Sequence, residues 1–142
     1  MNTEQSLRIQ KIRKRMSEAG ADACLLSTNV NILYSFGSIV SGYYFIPVTG
    51  DPVMFIRRPA GLKDDNLIYI RKPEDITGLL KDKGVSMPGI LMVEAGEMSH
   101  TDWVRLKACF PDTDFIDGTA HLRYVRSVKT PYELSLIRQS AE

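Results

Sequence analysis

The sequence lacks the features that mark secreted, membrane-spanning and nucleic-acid-binding proteins. The N-terminal stretch MNTEQSLRIQKIRKRM contains no apolar signal-peptide core. No hydrophobic run approaches the roughly 18 residues that a membrane-spanning helix needs. The 18 basic and 17 acidic residues leave a net charge of +1, which gives no general attraction to nucleic acid or anionic lipid. We therefore expect a cytoplasmic protein that binds neither nucleic acid nor membrane.

Cysteine and histidine are also scarce, which limits the chemistry that the chain can carry. Cys24 and Cys109 leave a disulfide open, but without a secretory signal they favour two buried thiols in a reducing compartment. Two histidines and no C-x₂-C pair make a zinc site unexpected. The G-x-S-x-G, Walker A and Rossmann patterns are absent as well. The residues alone predict no self-contained active site.

What remains is the composition of one ordinary globular domain. The 142 residues are 44% hydrophobic and 25% charged. Residues 4–19 show the spacing of an amphipathic helix, with Ile9, Ile12 and Met16 on one stripe. We interpret the basic side chains of its other face as solvent-exposed: Arg8, Lys11, Arg13, Lys14 and Arg15.

Hydrophobic runs and turn residues predict an alternating order of strands and helices. Gly50-Asp51 joins two aromatic and β-branched runs and so predicts an antiparallel hairpin. The apolar run at 89–95 is typical of a strand buried on both faces. Strands are expected at 23–27, 43–49, 52–58, 67–71, 89–95 and 114–118, and further helices at 74–83, 99–110, 119–127 and from 131 onward. The predicted fold is α/β, with a mixed sheet of five or six strands flanked by helices.

One short stretch, EAGEMSH, resembles a metal site by spacing alone. Glu94, Glu97 and His100 are three residues apart and would converge if they lay on one helix. However, Gly96 interrupts the stretch and Ser99 is a good N-cap for a new helix. We interpret the stretch as a surface loop, and His121 as a partly buried structural histidine.

The last residues of the chain, 128–142, predict the start of a further helix. Thr130 is a suitable N-cap, Pro131 suits the first helical position and Glu133 completes a capping box. Leu134, Ile137 and Ala141 would line one apolar face, which no capping residue closes. We expect this helix to pack on another copy or to be frayed.

Two stretches resemble the creatinase/prolidase/aminopeptidase P family. The first is NVNILYSFGS after the strand AGADACLLS, which is similar to the opening of these proteins. The second is FPDTDFIDGTAHLRYVRSVKTPYELSLIRQSAE, which is similar to their inter-domain segment. The positions that match the second pattern are Asp117, Leu122, Arg126, Val128, Lys129, Thr130, Pro131, Glu133, Leu134, Ile137, Arg138 and Ala141.

The resemblance implies a domain division and places catalysis outside this chain. Residues 1–125 would form the family's N-terminal domain, which has a ribonuclease H-like fold. Residues 126–142 would be the linker and the first helix of an absent catalytic domain. In the family that domain holds two divalent metals, Mn²⁺, Co²⁺ or Zn²⁺, through two Asp, one His and two Glu, and cleaves peptide bonds that commonly precede proline. None of these ligands can be assigned here, so the resemblance implies an inactive fragment of an Xaa-Pro dipeptidase-like hydrolase.

The resemblance also implies a role for the segment that follows NVNILY. In the family the N-terminal domain mediates dimer contacts, and this loop, 38–44 here, approaches the neighbouring subunit's catalytic pocket. Apart from the resemblance, Arg57 and Arg58 end the second strand of the hairpin and could present guanidinium groups to a substrate carboxylate, although arginines at strand ends are more often solvated or paired. The predicted substrate-pocket residues are therefore Ser38, Ser41, Tyr43 and Tyr44 from the loop, with Arg57 and Arg58 from the hairpin, and the resemblance implies a homodimer.

Three alternatives stay open from the sequence. The chain could be a free-standing small-molecule or peptide binding module that uses the same fold. It could instead be the N-terminal domain of a creatinase-like amidinohydrolase, because creatinase uses this fold without metal. A third alternative is that the parent protein is a pseudoenzyme.

Overall fold

The computed structural model of the protein describes residues 2–58, 67–129 and 131–141. The strands in these ranges are β1 (Ala23–Leu26), β2 (Ser41–Pro47), β3 (Val53–Arg58), β4 (Leu67–Tyr69), β5 (Ile90–Val93) and β6 (Asp114–Asp117). The helices are α1 (Thr3–Ala19), α2 (Asn29–Phe36), α3 (Asp75–Asp82), α4 (His100–Cys109), α5 (Thr119–Ser127) and α6 (Pro131–Ala141), with a 3₁₀ turn at Ala95–Glu97.

The strands form one mixed sheet in the order β4-β3-β2-β1-β5-β6. β2 pairs antiparallel with both β1 and β3, which confirms the predicted hairpin. The pairs β1–β5, β5–β6 and β3–β4 are parallel. The chain therefore runs from β1 outward to one side, and then returns to add β5 and β6 on the other side of β1. β1 and β5 are the neighbours at which the direction of winding changes.

Helices cover both faces of this sheet. One layer consists of α1, α2 and α5, whose apolar side chains pack with Cys24 and Leu26 of β1. The other contains α3 and α4 and packs with Ala23 and Leu25 of the same strand. β5 is likewise divided, with Met92 in the first core and Leu91 in the second. The prediction of a central strand buried on both faces is confirmed.

The basic face of α1 differs from its sequence interpretation. Of its five basic side chains only Lys14 is exposed, and the others are partly buried. Arg8 donates to the backbone carbonyl of Tyr34 at 2.9 Å, and the Nε of Arg15 donates to Nδ1 of His121 at 3.1 Å. The prediction of a solvated face is wrong because α2 and α5 pack beside α1 and offer acceptors. His121 is partly buried, as predicted.

A first stability prediction concerns Gly78, which lies exposed within α3. A Cβ at this position would meet no atom within 4 Å, and its φ is not positive. Replacing Gly78 by Ala should therefore raise the free energy of unfolding by about 0.5–1 kcal/mol, because glycine loses more backbone entropy in a helix. Urea denaturation of the two proteins measures this difference, and a loss of stability would contradict it.

Candidate functional site

The predicted substrate-pocket residues lie at one end of the β2–β3 pair. Ser38 is exposed in the connection between α2 and β2, and Ser41 is the first residue of β2. Ser41 is the register partner of Arg58, so the structure does bring the two predicted segments together. Arg57 and Arg58 are both exposed. The loop itself is shorter than predicted, because residues 41–44 already pair with β3 as a strand.

The two tyrosines of this group face opposite sides of the sheet. Tyr44 is only 4% exposed and packs edge-on against Phe36 with ring centroids 5.3 Å apart, which removes its side chain from the loop surface. Tyr43 is partly buried on the other face, with the Arg57 guanidinium 6.0 Å from its ring centroid. Burial raises the pKa of the Tyr43 hydroxyl, against the opposing effect of Arg57. Tyr43 therefore stays a neutral aromatic neighbour of the arginines.

A second cluster, which the sequence did not reveal, centres on Glu94. This residue is 0% exposed, so its assignment to a surface loop is wrong. Its Oε2 accepts from the backbone N–H groups of Ser27 at 2.6 Å and Thr28 at 2.8 Å. Its Oε1 accepts from the Thr28 hydroxyl at 2.6 Å and from the side-chain amide of Asn31. The Ser27 hydroxyl adds a longer contact of 3.2 Å to Oε2.

The position of this carboxylate follows from the topology of the sheet. Glu94 directly follows β5, and Ser27 directly follows β1, so both lie at the carboxyl ends of the two parallel strands where the winding changes direction. Ligands of open α/β sheets bind in the crevice at this point. α2 also begins here with Thr28 as its N-cap, and the N-terminus of a helix favours negative charge. The protein's own carboxylate fills the place that an anionic ligand would take.

Asn31 extends the cluster from α2 to α5. Its side-chain oxygen accepts a hydrogen bond from Nη1 of Arg126, while its amide donates to Glu94. Beside them, Arg123 pairs with Glu97 at 2.5 Å in an exposed ion pair. A cavity of about 130 Å³ remains between these groups and is lined by Thr28, Val30, Asn31, Glu94, Glu97, Thr119, Arg123 and Arg126.

α1 holds the segment that follows α5. Nζ of Lys11 donates to the carbonyl of Val128, and Arg8 lies 3.8 Å from the carboxylate of Glu133 in α6. Burial raises the pKa of the nearby Tyr34 hydroxyl to about 12, with Glu133 as the next cause. The predicted capping residue Thr130 lies outside the described residues, but α6 does begin at Pro131.

The remaining sequence candidates do not assemble into a catalytic group. The described residues contain no cluster of three or more His, Cys, Asp or Glu that could hold a metal ion. Glu94 lies in the interior, whereas His100 is exposed at the start of α4. No helix in the described ranges is long and apolar enough to cross a membrane.

Both cysteines are free thiols with little nucleophilic character. Cys24 is buried as predicted, whereas Cys109 is partly exposed. Burial raises the pKa of the Cys24 thiol far above its usual value. Burial and the neighbouring Glu74 carboxylate raise the pKa of Cys109 to about 11. Because the thiolate is the reactive form, neither side chain is suited to nucleophilic catalysis at neutral pH.

Comparisons with solved structures identify similar folds. The N-terminal domain of cytoplasmic peptidase PepQ from Mycobacterium tuberculosis matches with 18% identity and a TM-score of 0.69, over 84% of this chain and 98% of that one. The N-terminal domain of an X-Pro dipeptidase from Streptococcus pyogenes matches with 18% identity and a TM-score of 0.65, over 82% and 97%. An Xaa-Pro dipeptidase from Bacillus anthracis matches with 16% identity and a TM-score of 0.73, over 95% of this chain but only 39% of that one.

Sequence comparison gives the family directly. No curated protein matches this chain significantly. The sequence profile of the Creatinase/Prolidase N-terminal domain, however, matches residues 8–128, which include all six strands and α5. The chain belongs to the Creatinase/Prolidase N-terminal domain family.

Proposed function

We propose that this chain serves as the non-catalytic N-terminal domain of an Xaa-Pro dipeptidase- or aminopeptidase P-like metallopeptidase. The supporting observation is its family membership over residues 8–128, together with a match to only 39% of a B. anthracis Xaa-Pro dipeptidase. Peptide hydrolysis and two divalent metals, Mn²⁺, Co²⁺ or Zn²⁺, would then belong to a following catalytic domain. The cytoplasmic description of PepQ supports a cytoplasmic location.

The same proposal assigns the domain two contact surfaces. The α2–β2 connection exposes Ile39 to 82%, and Ser41, two residues later, is the register partner of the exposed Arg58. This surface would meet the catalytic pocket of a second subunit in a homodimer. α6, as the first helix of the proposed catalytic domain, would pack against the rest of that domain, because large apolar side chains along it are more than two-fifths exposed: Tyr132, Leu134, Leu136 and Ile137.

The alternative of a free-standing small-molecule binding module has less support. In an open α/β sheet the ligand crevice lies at the carboxyl ends of the strands where the winding changes. Here Glu94 already occupies that point and takes hydrogen bonds from Ser27, Thr28 and Asn31. An anionic ligand would meet a buried negative charge. The alternative of an amidinohydrolase parent can be distinguished by assaying the complete protein. Such a parent would hydrolyse creatine instead of an Xaa-Pro peptide.

The arginine pair offers a test of the pocket-shaping role in the complete protein. We expect Arg57→Ala with Arg58→Ala to lower kcat/KM for an Xaa-Pro dipeptide about tenfold, because each arginine can supply a charge-assisted hydrogen bond. Steady-state kinetics with Mn²⁺, and the oligomer mass from light scattering, are the measurements. Lys81→Ala with Lys83→Ala is the matched control, because it removes two exposed cations at α3 and should change neither quantity.

Two results would contradict the proposal at different levels. Unchanged kinetics and oligomer mass in the arginine double variant would exclude these arginines from the partner's pocket, while leaving the domain assignment intact. Hydrolysis of Xaa-Pro dipeptides by the 142-residue chain alone would exclude the non-catalytic role itself.

A further inference from the structure

The Glu94 carboxylate has the surroundings of a bound ligand although it belongs to the chain. Two backbone N–H groups, two hydroxyls and one side-chain amide converge on it, and all of them come from the segment 27–31. None of these donors is close to Glu94 in sequence, since 63 to 67 residues separate them. We propose that Glu94 is a built-in anion that holds the start of α2 and, through Asn31, fixes the position of Arg126 in α5.

Asn31 is suited to this linking role because its two amide atoms face opposite kinds of partner. The carboxylate of Glu94 can only accept and the guanidinium of Arg126 can only donate. These partners fix the amide orientation, with NH₂ toward Glu94 and oxygen toward Arg126. Asn31 is 4% exposed, so water cannot readily replace either partner. A displacement of the Glu94 carboxylate must therefore also shift the Arg126 guanidinium.

The two helices that this cluster links, α2 and α5, lead directly to the two proposed contact surfaces. α2 is held at its other end by α1, because Gln5 donates to the Phe36 carbonyl at 2.5 Å and Arg8 to the Tyr34 carbonyl at 2.9 Å. The exposed connection to β2 follows directly after α2. Arg126 lies in the last turn of α5, two residues before Val128, whose carbonyl Lys11 holds. The cluster thus fixes the start of the α2–β2 connection and also the end of α5, from which the chain continues to α6.

The built-in anion can be tested by removing it and adding it back. Glu94→Ala deletes a group of the size and charge of acetate. Sodium acetate at about ten times its dissociation constant should raise the melting temperature of this variant by about 4 °C. The wild-type protein should show no such rise. Glu94→Gln is the matched control, because its amide fills the space and should exclude acetate.

The comparison solutes make the result specific. Acetamide has the shape of acetate without its charge, and sodium chloride supplies the same ionic strength. No rise with acetate up to about 0.5 M, or an equal rise with acetamide or chloride, would overturn the proposal.

A second measurement does not require Glu94→Ala to fold. Asn31→Ala and Arg126→Ala should each increase hydrogen exchange of the α5 backbone amides by about tenfold, because each breaks the same link. The double variant should show no more than the larger of the two single effects. Additive effects, or unchanged exchange in α5 with Asn31→Ala, would show that Asn31 does not transmit the position of Glu94.

Discussion

Replacing Gly42 by Ala is expected to destabilise the protein by about 3–5 kcal/mol, because the added methyl group would collide with the neighbouring strand. A Cβ at Gly42 would lie 1.9 Å from the carbonyl oxygen of Phe55 and 3.1 Å from the Cα of Ile56. Both are backbone atoms of β3, so no side-chain rotation relieves the contact. The φ of +158° at Gly42 adds a backbone conformation that L-residues rarely adopt.

The destabilisation should extend beyond Gly42, because the β2–β3 hairpin contributes side chains to both hydrophobic cores. Gly42 lies at the register shift between β2 and β3, and separating the strands there would expose Phe45 and Phe55, which are 1% and 0% exposed. Urea denaturation gives the free energy of unfolding, with Gly78→Ala as a control of opposite sign. A Gly42→Ala protein within about 1 kcal/mol of the wild type would show that the strands can part locally at little cost.

The position of Gly42 also gives this variant a functional consequence. Ser41 pairs with Arg58 immediately beside it, at the surface that we propose meets a partner subunit. In a full-length protein, any folded fraction of Gly42→Ala should therefore lose the same pocket contacts that the arginine double variant tests.

Most elements of the fold could be predicted because their signals are local. Gly50-Asp51 and the flanking aromatic residues predict the β2–β3 hairpin, and the unbroken apolar run predicts β5 as a strand buried on both faces. The start of α4 follows from its Ser99 N-cap, whose hydroxyl accepts from the Asp102 N–H at 3.1 Å. In each case the determining residues lie within a few positions of one another.

The cluster around Glu94 could not be predicted in the same way. It exists only because β1 and β5, which lie far apart in sequence, are neighbours in the sheet. In the sequence, Glu94 is an acidic residue at the end of a predicted strand and is followed by Ala95-Gly96. Such a residue resembles the start of a solvent-exposed loop. A usable signal was the stretch Ser27-Thr28 with Asn31, which places two hydroxyls, a side-chain amide and the unpaired N–H groups of a helix start directly after a buried strand.

The basic face of α1 shows the same limit for surface residues. Helical periodicity correctly places Ile9 and Met16 in the core, but it cannot tell whether the opposite flank meets water or another helix. Arg8 and Arg15 became part of the packing because α2 and α5 dock along that flank and present a backbone carbonyl and an imidazole nitrogen.

Replacing Glu94 by Gln should cost about 2–4 kcal/mol of unfolding free energy, although the side chain keeps its size and shape. An amide has one acceptor oxygen where the carboxylate has two. If its NH₂ group took the place of Oε2, it would face the backbone N–H groups of Ser27 and Thr28, which are fixed donors. If it took the place of Oε1, it would face the NH₂ of Asn31. Turning Asn31 around would only move the conflict to Arg126.

Glu97→Gln is the matched control, because the same chemical change is made three residues away on the surface. Glu97 pairs with Arg123, and their side chains are 42% and 64% exposed. Exposed ion pairs contribute little, so this variant should lose less than about 1 kcal/mol. Urea denaturation of both variants at neutral pH gives the comparison. Equal losses of unfolding free energy in the two variants would contradict the prediction. They would mean that the donors around Glu94 find other partners, and that the start of α2 does not depend on the Glu94 carboxylate.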